Sequence, residues 1–149
     1  MLTHPTQDRL IALGLTGMAK ALDEQRRQPD FAALAFEERL GLLVDREAIE
    51  RENKRLVSRL KFAGLRQNAA IEDIDTRTPR GLDKTLIAKL AAGDWITRHE
   101  NLIIVGKTGL GKSWLACALG HKACRDDRAV LYHRLPRLFD ALALARGDG

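Results

Sequence analysis

The stretch LIIVGKTGLGKSWLACAL, from Leu102 to Leu119, decides how the chain is read. Gly106, Gly111, Lys112 and Ser113 fit the spacing G-x-x-x-x-G-K-[ST] of a phosphate-binding loop. Ahead of the loop, Leu102–Val105 is short, apolar and rich in β-branched residues, the pattern of a buried strand. Behind it, Trp114 onward is rich in Ala, Leu and Cys, the pattern of a helix. Gly106, Gly109 and Gly111 can take positive φ, which turns successive N–H groups inward into an anion-binding nest. The first N–H groups of the following helix have no intrahelical partner and carry the positive end of its dipole. Lys112 is spaced to reach the β- and γ-phosphates of a triphosphate, and the Ser113 hydroxyl to ligate Mg²⁺. A glycine-rich turn that binds nothing would explain the glycines but not a Lys and a Ser side by side at the helix start.

The rest of the composition narrows the class. A chain of 149 residues, 45% hydrophobic and 30% charged, is that of a folded globular protein rather than a disordered one. The net charge of +5 permits contact with nucleic acid and is equally that of a solvated surface. Two cysteines make no disulfide framework. The N-terminus MLTHPTQDRL has no apolar signal core, and no run is long enough to cross a bilayer, so the expected location is the cytoplasm, without a membrane partner.

Upstream of the loop the periodicity is helical. Thr6 to Arg27 reads as one helix, weakened at Gly14 and Gly17. A second helical stretch starts at Phe36, with a possible break near Asn53 and a stop at Gly64. Glu47 with Arg51, and Glu50 with Lys54, are acid-first i,i+4 pairs. From Arg51 to Arg66 six basic residues face a single acid, Glu52; a phosphate-contacting face and an ordinary solvated face explain this equally well. Gln67 to Gly81, with the turn-forming Thr78-Pro79, reads as a linker, and Leu82–Leu90 as a short helix ended by Gly93. Trp95 and Ile96, in the lead-in to the strand, are candidates for an adenine pocket or simply packing residues.

Downstream, the helix runs to about Arg125. Cys117, His121 and Cys124 share a face at i, i+4 and i+7, a spacing compatible with a metal and better explained by burial. Asp126 and Asp127 fall in a turn, Val130–His133 reads as a second strand, and Pro136–Arg146 as a further helix. Alternating strands and helices imply a parallel sheet. The expected fold class is therefore α/β: an N-terminal all-helical domain, residues 1–78, followed by the first part of a P-loop NTPase parallel-sheet core, residues 79–149.

FEERLGLLVDREAIERENKRL (Phe36–Leu56), RGLDKTLIAKLAAGDWI (Arg80–Ile96) and LACALGHKACR (Leu115–Arg125), together with the loop, resemble the IstB-like ATP-binding proteins. These are transposition helper ATPases of insertion sequences, related to DnaC-type helicase loaders within the AAA+ class. The resemblance covers nearly the whole chain. It implies a helical domain that meets a transposase, and a core that binds ATP with Mg²⁺, forms a homo-oligomer and engages DNA. The ATP contacts would be Gly106, Lys107, Thr108, Gly109, Leu110, Gly111, Lys112, Ser113 and Trp114, with Lys112 catalytic and Ser113 the metal ligand. Lys107 and Thr108 stand where relatives often have two prolines, at positions the motif leaves free.

The resemblance further implies that family members continue past Gly149 into an acidic Walker B strand, a sensor residue and an arginine finger. The chain is accordingly read as truncated, with weak or absent hydrolysis. Leu102–Val105 and Val130–His133 would then lack their proper neighbours, leaving a gap in the sheet. Two other readings stand beside this one. A non-enzymatic helical module could bind a transposase or DNA. A GTPase or small kinase is also open, although no N-K-x-D motif follows the loop.

Overall fold

Gly14 interrupts the first helical stretch. It sits at φ +76°, donates to the Ile11 carbonyl at 2.9 Å, and lets Leu15 donate back to Leu10 at 2.8 Å. That double reversal is how a helix is closed by a left-handed glycine. The expected single helix is therefore two, α1 (Pro5–Ala12) and α2 (Thr16–Arg27), in the computed structural model, which describes residues 4–78 and 81–147. A 3-10 turn (Pro29–Ala33) leads to α3 (Phe36–Ala63), which runs unbroken through Asn53. Its start is capped by Glu38, whose carboxylate accepts from the Ala35 N–H at 2.9 Å. Gly64, at φ +59°, ends it as the sequence indicates.

The chain divides into two compact units inside α3, between Val57 and Ser58. The boundary expected at 78/79 involves Pro79 and Arg80, which lie outside the described residues, as does Asp148. In the first unit, α2 packs on the first half of α3 through small residues. Gly17, Ala19 and Ala21 are buried, and a Cβ on Gly17 would come within 2.7 Å of the Glu47 Cα. Glu47, only 6% exposed, accepts from the Gly17 and Met18 N–H groups at 2.8 and 3.2 Å and from Arg51 Nε at 2.8 Å. Of the two acid-first pairs, Glu47–Arg51 forms; Glu50 instead pairs with Lys20 at 2.9 Å, and Lys54 donates to Thr16 Oγ1 at 2.9 Å.

The second unit is built around α6 (Lys112–Arg125), which buries Leu115, Cys117, Ala118, Leu119, Ala123 and Cys124. Ahead of it come a 3-10 turn (Ile71–Asp73), α4 (Lys84–Ala92) and the single turn α5 (Asp94–Thr97); behind it comes α7 (Leu135–Gly147). Asp83 caps α4 by accepting from the Leu86 N–H at 2.6 Å, and Gly93 ends it at φ +78°. One side of α6 packs Cys117 and Ala118 on Ala69, with Leu65, Ile71, Trp114 and Tyr132 around them. Another packs Leu115 and Leu119 on Ile87, with Leu102 and Ile104 among the residues around them. Residues 67–78 are thus not a free linker, since Ala69 and Ile71 belong to the core.

The expected α/β class does not hold. Every regular element among the described residues is helical, and no parallel sheet is present. Leu102–Val105 and Val130–His133 take no strand pairing. Leu102 and Ile104 turn inward while Ile103 and Val105 are 81% and 84% exposed, so the alternation of a strand survives without a ladder. The physical reason is that a strand is defined by a neighbour's N–H and C=O groups, and apolar patterning does not supply them. At Tyr132 the N–H finds the end of a helix instead, donating to the Ala63 carbonyl at 2.9 Å.

Candidate functional site

The loop between Val105 and Lys112 owes its course to glycine. Gly109 and Gly111 stand at φ +85° and +86°, and Gly111 is the residue from which α6 starts. No side chain caps that helix start, and the first helical bond is Leu115 N–H to the Gly111 carbonyl at 2.9 Å. The amides of Lys112, Ser113 and Trp114 thus head the helix at its positive end, ahead of that first bond. Lys112 curls back over the loop, its ammonium donating to the carbonyls of Gly106 at 2.9 Å and Lys107 at 2.8 Å. Ser113 is exposed beside it.

These residues fit a nucleotide's phosphates and a magnesium ion. Two glycines hold left-handed backbone that a side chain would strain. The Lys112 ammonium is held by two carbonyls, which a phosphate can replace with a charge-assisted bond. A serine hydroxyl stands at the helix start, where an Mg²⁺ ligand is needed.

A cavity of about 350 Å³ adjoins the loop, lined by Leu82, Ile104, Val105, Leu110, Gly111, Lys112 and Leu115. It is mostly apolar, and among the described residues no carboxylate lines it. Trp95 and Ile96 are not brought to it. They line a separate apolar cavity, with Leu102, Ile104, Leu119 and Arg128, that includes no residue of the loop. The Trp95 indole N–H is held by the Leu90 carbonyl at 3.0 Å, a packing role. Leu110, among the expected ATP contacts, lines this cavity, and so does Leu82, which the sequence does not single out because an isolated leucine carries no signal of its own. Only the fold sets Leu82 beside Lys112.

The other candidates resolve simply. Cys117 and Cys124 are fully buried thiols, burial pushes the Cys124 thiol up, and no metal-holding group is found among the described residues. On the basic stretch, Arg51 is paired with Glu47, and Arg59 with Asp127 at 2.7 Å and the Cys124 carbonyl at 2.9 Å. Arg125 pairs with Glu72 at 2.7 Å. That guanidinium, with a backbone N–H, holds the Glu72 carboxyl well down, at about 2. None of the helices described is long and apolar enough to cross a membrane.

The family model for IstB-like ATP binding proteins matches residues 8–149. An insertion sequence ATP-binding protein of Sinorhizobium fredii (strain NBRC 101917 / NGR234) is 59% identical over the whole chain and 61% of its own length. The insertion sequence IS1162 ATP-binding protein of Pseudomonas fluorescens is 51% identical, again over the whole chain and 65% of its own. The insertion sequence IS21 ATP-binding protein of Pseudomonas aeruginosa is 34% identical over 97% of the chain and 55% of its own. The chain thus spans about three fifths of the length of such relatives.

Proposed function

The chain belongs to the IstB-like ATP-binding protein family, and we propose that it binds ATP with Mg²⁺ through Gly106–Trp114 and assists a transposase on DNA. The observation that carries this reading is the uncapped start of α6 beneath Gly109, Gly111 and the Lys112 ammonium. On binding, Lys112 exchanges two carbonyls for phosphate oxygens and the loop amides from Gly109 to Ser113 donate to the phosphates; the Ser113 hydroxyl is the group that would hold the metal. The apolar walls Leu82, Leu110 and Leu115 offer a dry surface beside the phosphates. Bound magnesium would neutralise charge on the phosphates. Among the described residues no carboxylate lines this cavity, and the expectation is that hydrolysis by the chain is slow or absent. Partnership with a transposase, DNA contact and homo-oligomer formation rest on the insertion-sequence context of the relatives.

The test is equilibrium binding of a fluorescent ATP analogue, with ATP and GTP as competitors. Saturable binding displaced better by ATP, and weakened at least about tenfold in Lys112→Ala, is expected from the loss of a charge-assisted contact. Equal affinity in Lys112→Ala would overturn the reading. A second reading, a non-enzymatic helical module, is favoured by the self-contained packing of α2 on α3 through Gly17 and Glu47. Limited proteolysis that leaves residues 1–57 protected, in a chain that fails to bind ATP, would select it.

A further inference from the structure

Gly64 turns the chain out of α3, and Arg66 follows two residues on. Tyr132 returns to the same helix end through its bond to the Ala63 carbonyl. His133, Arg134 and Arg137 come next, as α7 begins. Gly64, Arg66, Tyr132, His133, Arg134 and Arg137 together surround a cavity of about 550 Å³. It shares no residue with the cavity beside the phosphate loop. Its lining holds three guanidiniums and an imidazole, and no acid among the described residues.

We propose that this cavity is a contact site for the phosphate backbone of a nucleic acid, in which Arg66, Arg134 and Arg137 grip phosphate oxygens. The inference rests on the nucleic-acid part of the reading above. Several guanidiniums elsewhere in the chain are offset by carboxylates, as in Arg27–Asp23, Arg46–Glu24, Arg59–Asp127 and Arg125–Glu72, whereas here three converge on one cavity. Among the described residues Arg66, Arg134 and Arg137 have neither an ion pair nor a side-chain hydrogen bond, so each presents its full fork of donors to a ligand. Such a fork matches phosphate oxygens two at a time. The cavity is wider than one phosphate group, which suits a chain of them.

The same lining argues for backbone contact rather than base reading. Tyr132 is its single aromatic residue besides the imidazole of His133, and the tyrosine ring is committed to the Ala69–Cys117–Ala118 cluster. It is therefore not free as a stacking platform. Binding through guanidinium–phosphate contacts is insensitive to sequence and steeply dependent on salt. The basic stretch Arg51–Arg66 thus contributes through its last residue, while Arg51 and Arg59 are spent on internal pairs.

Fluorescence anisotropy of the full chain with a short labelled DNA duplex, repeated with a scrambled duplex, tests this. Arg134→Ala/Arg137→Ala should weaken binding at least about tenfold and lower the slope of log affinity against log salt by roughly two. Arg55→Ala/Lys61→Ala removes the same charge from exposed, unpaired positions of α3 and should change little. Arg134→Lys/Arg137→Lys, which keeps the charge, should recover most of the affinity and covers the case in which the alanine variant folds poorly. Affinity for ATP should be the same in Arg134→Ala/Arg137→Ala as in the parent. A parallel loss of ATP binding would mark the cavity as part of the nucleotide site and overturn the proposal. So would an equal loss of duplex affinity in the two alanine pairs, or none in either. In those cases DNA binding by the parent still stands; a parent that binds no duplex removes both.

Discussion

Glu47 shows how much a single side chain can settle. Leu15, ahead of α2, supplies no side-chain cap, and the carboxylate of Glu47, thirty positions beyond Gly17, supplies one. Arg51, ahead of the Met18 and Gly17 N–H groups, holds this carboxyl below the usual range against the opposing effect of burial. A carboxyl lowered in the folded state stabilises it above the unfolded value of about 4.3, and that contribution fades as pH falls through the folded value. Acid should therefore loosen the α2–α3 contact, and Glu47→Gln should unfold at a lower urea concentration at neutral pH with a weaker acid dependence. Gly17→Ala should cost roughly 1–3 kcal/mol by urea denaturation, because its Cβ meets helix backbone rather than a movable side chain. Glu72 carries a signature that can be read directly. Its carboxyl, at about 2 beside Arg125, should return toward the ordinary glutamate range in Arg125→Ala, as followed by NMR titration.

At the scale of elements, several helix spans and ends are legible from local pattern. Gly64 and Gly93 end their helices where the pattern stops, and the spans of α4, α6 and α7 follow from apolar spacing. What depended on distant partners was not legible. Leu102–Val105 has the composition of a strand, but pairing is decided by another segment's backbone. The Glu47 cap, the placing of Leu82 beside Lys112 and the meeting of Arg66 with Arg134 all join residues far apart in sequence. Gly14 was visible as a weak point, yet spacing alone could not say that it would close one helix and open another. Continuity of α3 is open to a direct check. Asn53→Pro should cost about 3 kcal/mol or more if the helix runs through residue 53, and little if two helices meet there.

The molecule as a whole is unevenly consolidated. The α6 face bearing Cys117, Ala118, Leu119, Ala123 and Cys124 is buried, whereas Ile103 and Val105 are exposed in segments without a ladder. Hydrogen exchange should be slow for amides 117–124 and fast for 103–105, because only the former are in a packed helix. Comparable protection in both regions would contradict the assignment of the second segment as unpaired. Against this background the phosphate loop is a small site hung on the best-buried helix of its unit, which is what positions its amides. The most direct test is an amide ¹H–¹⁵N spectrum of the full chain titrated with Mg²⁺ and ATP. The largest, saturable shifts should fall on Gly106–Trp114 and vanish in Lys112→Ala. Absence of shifts there, or shifts confined to the cavity of Trp95 and Ile96, would contradict it.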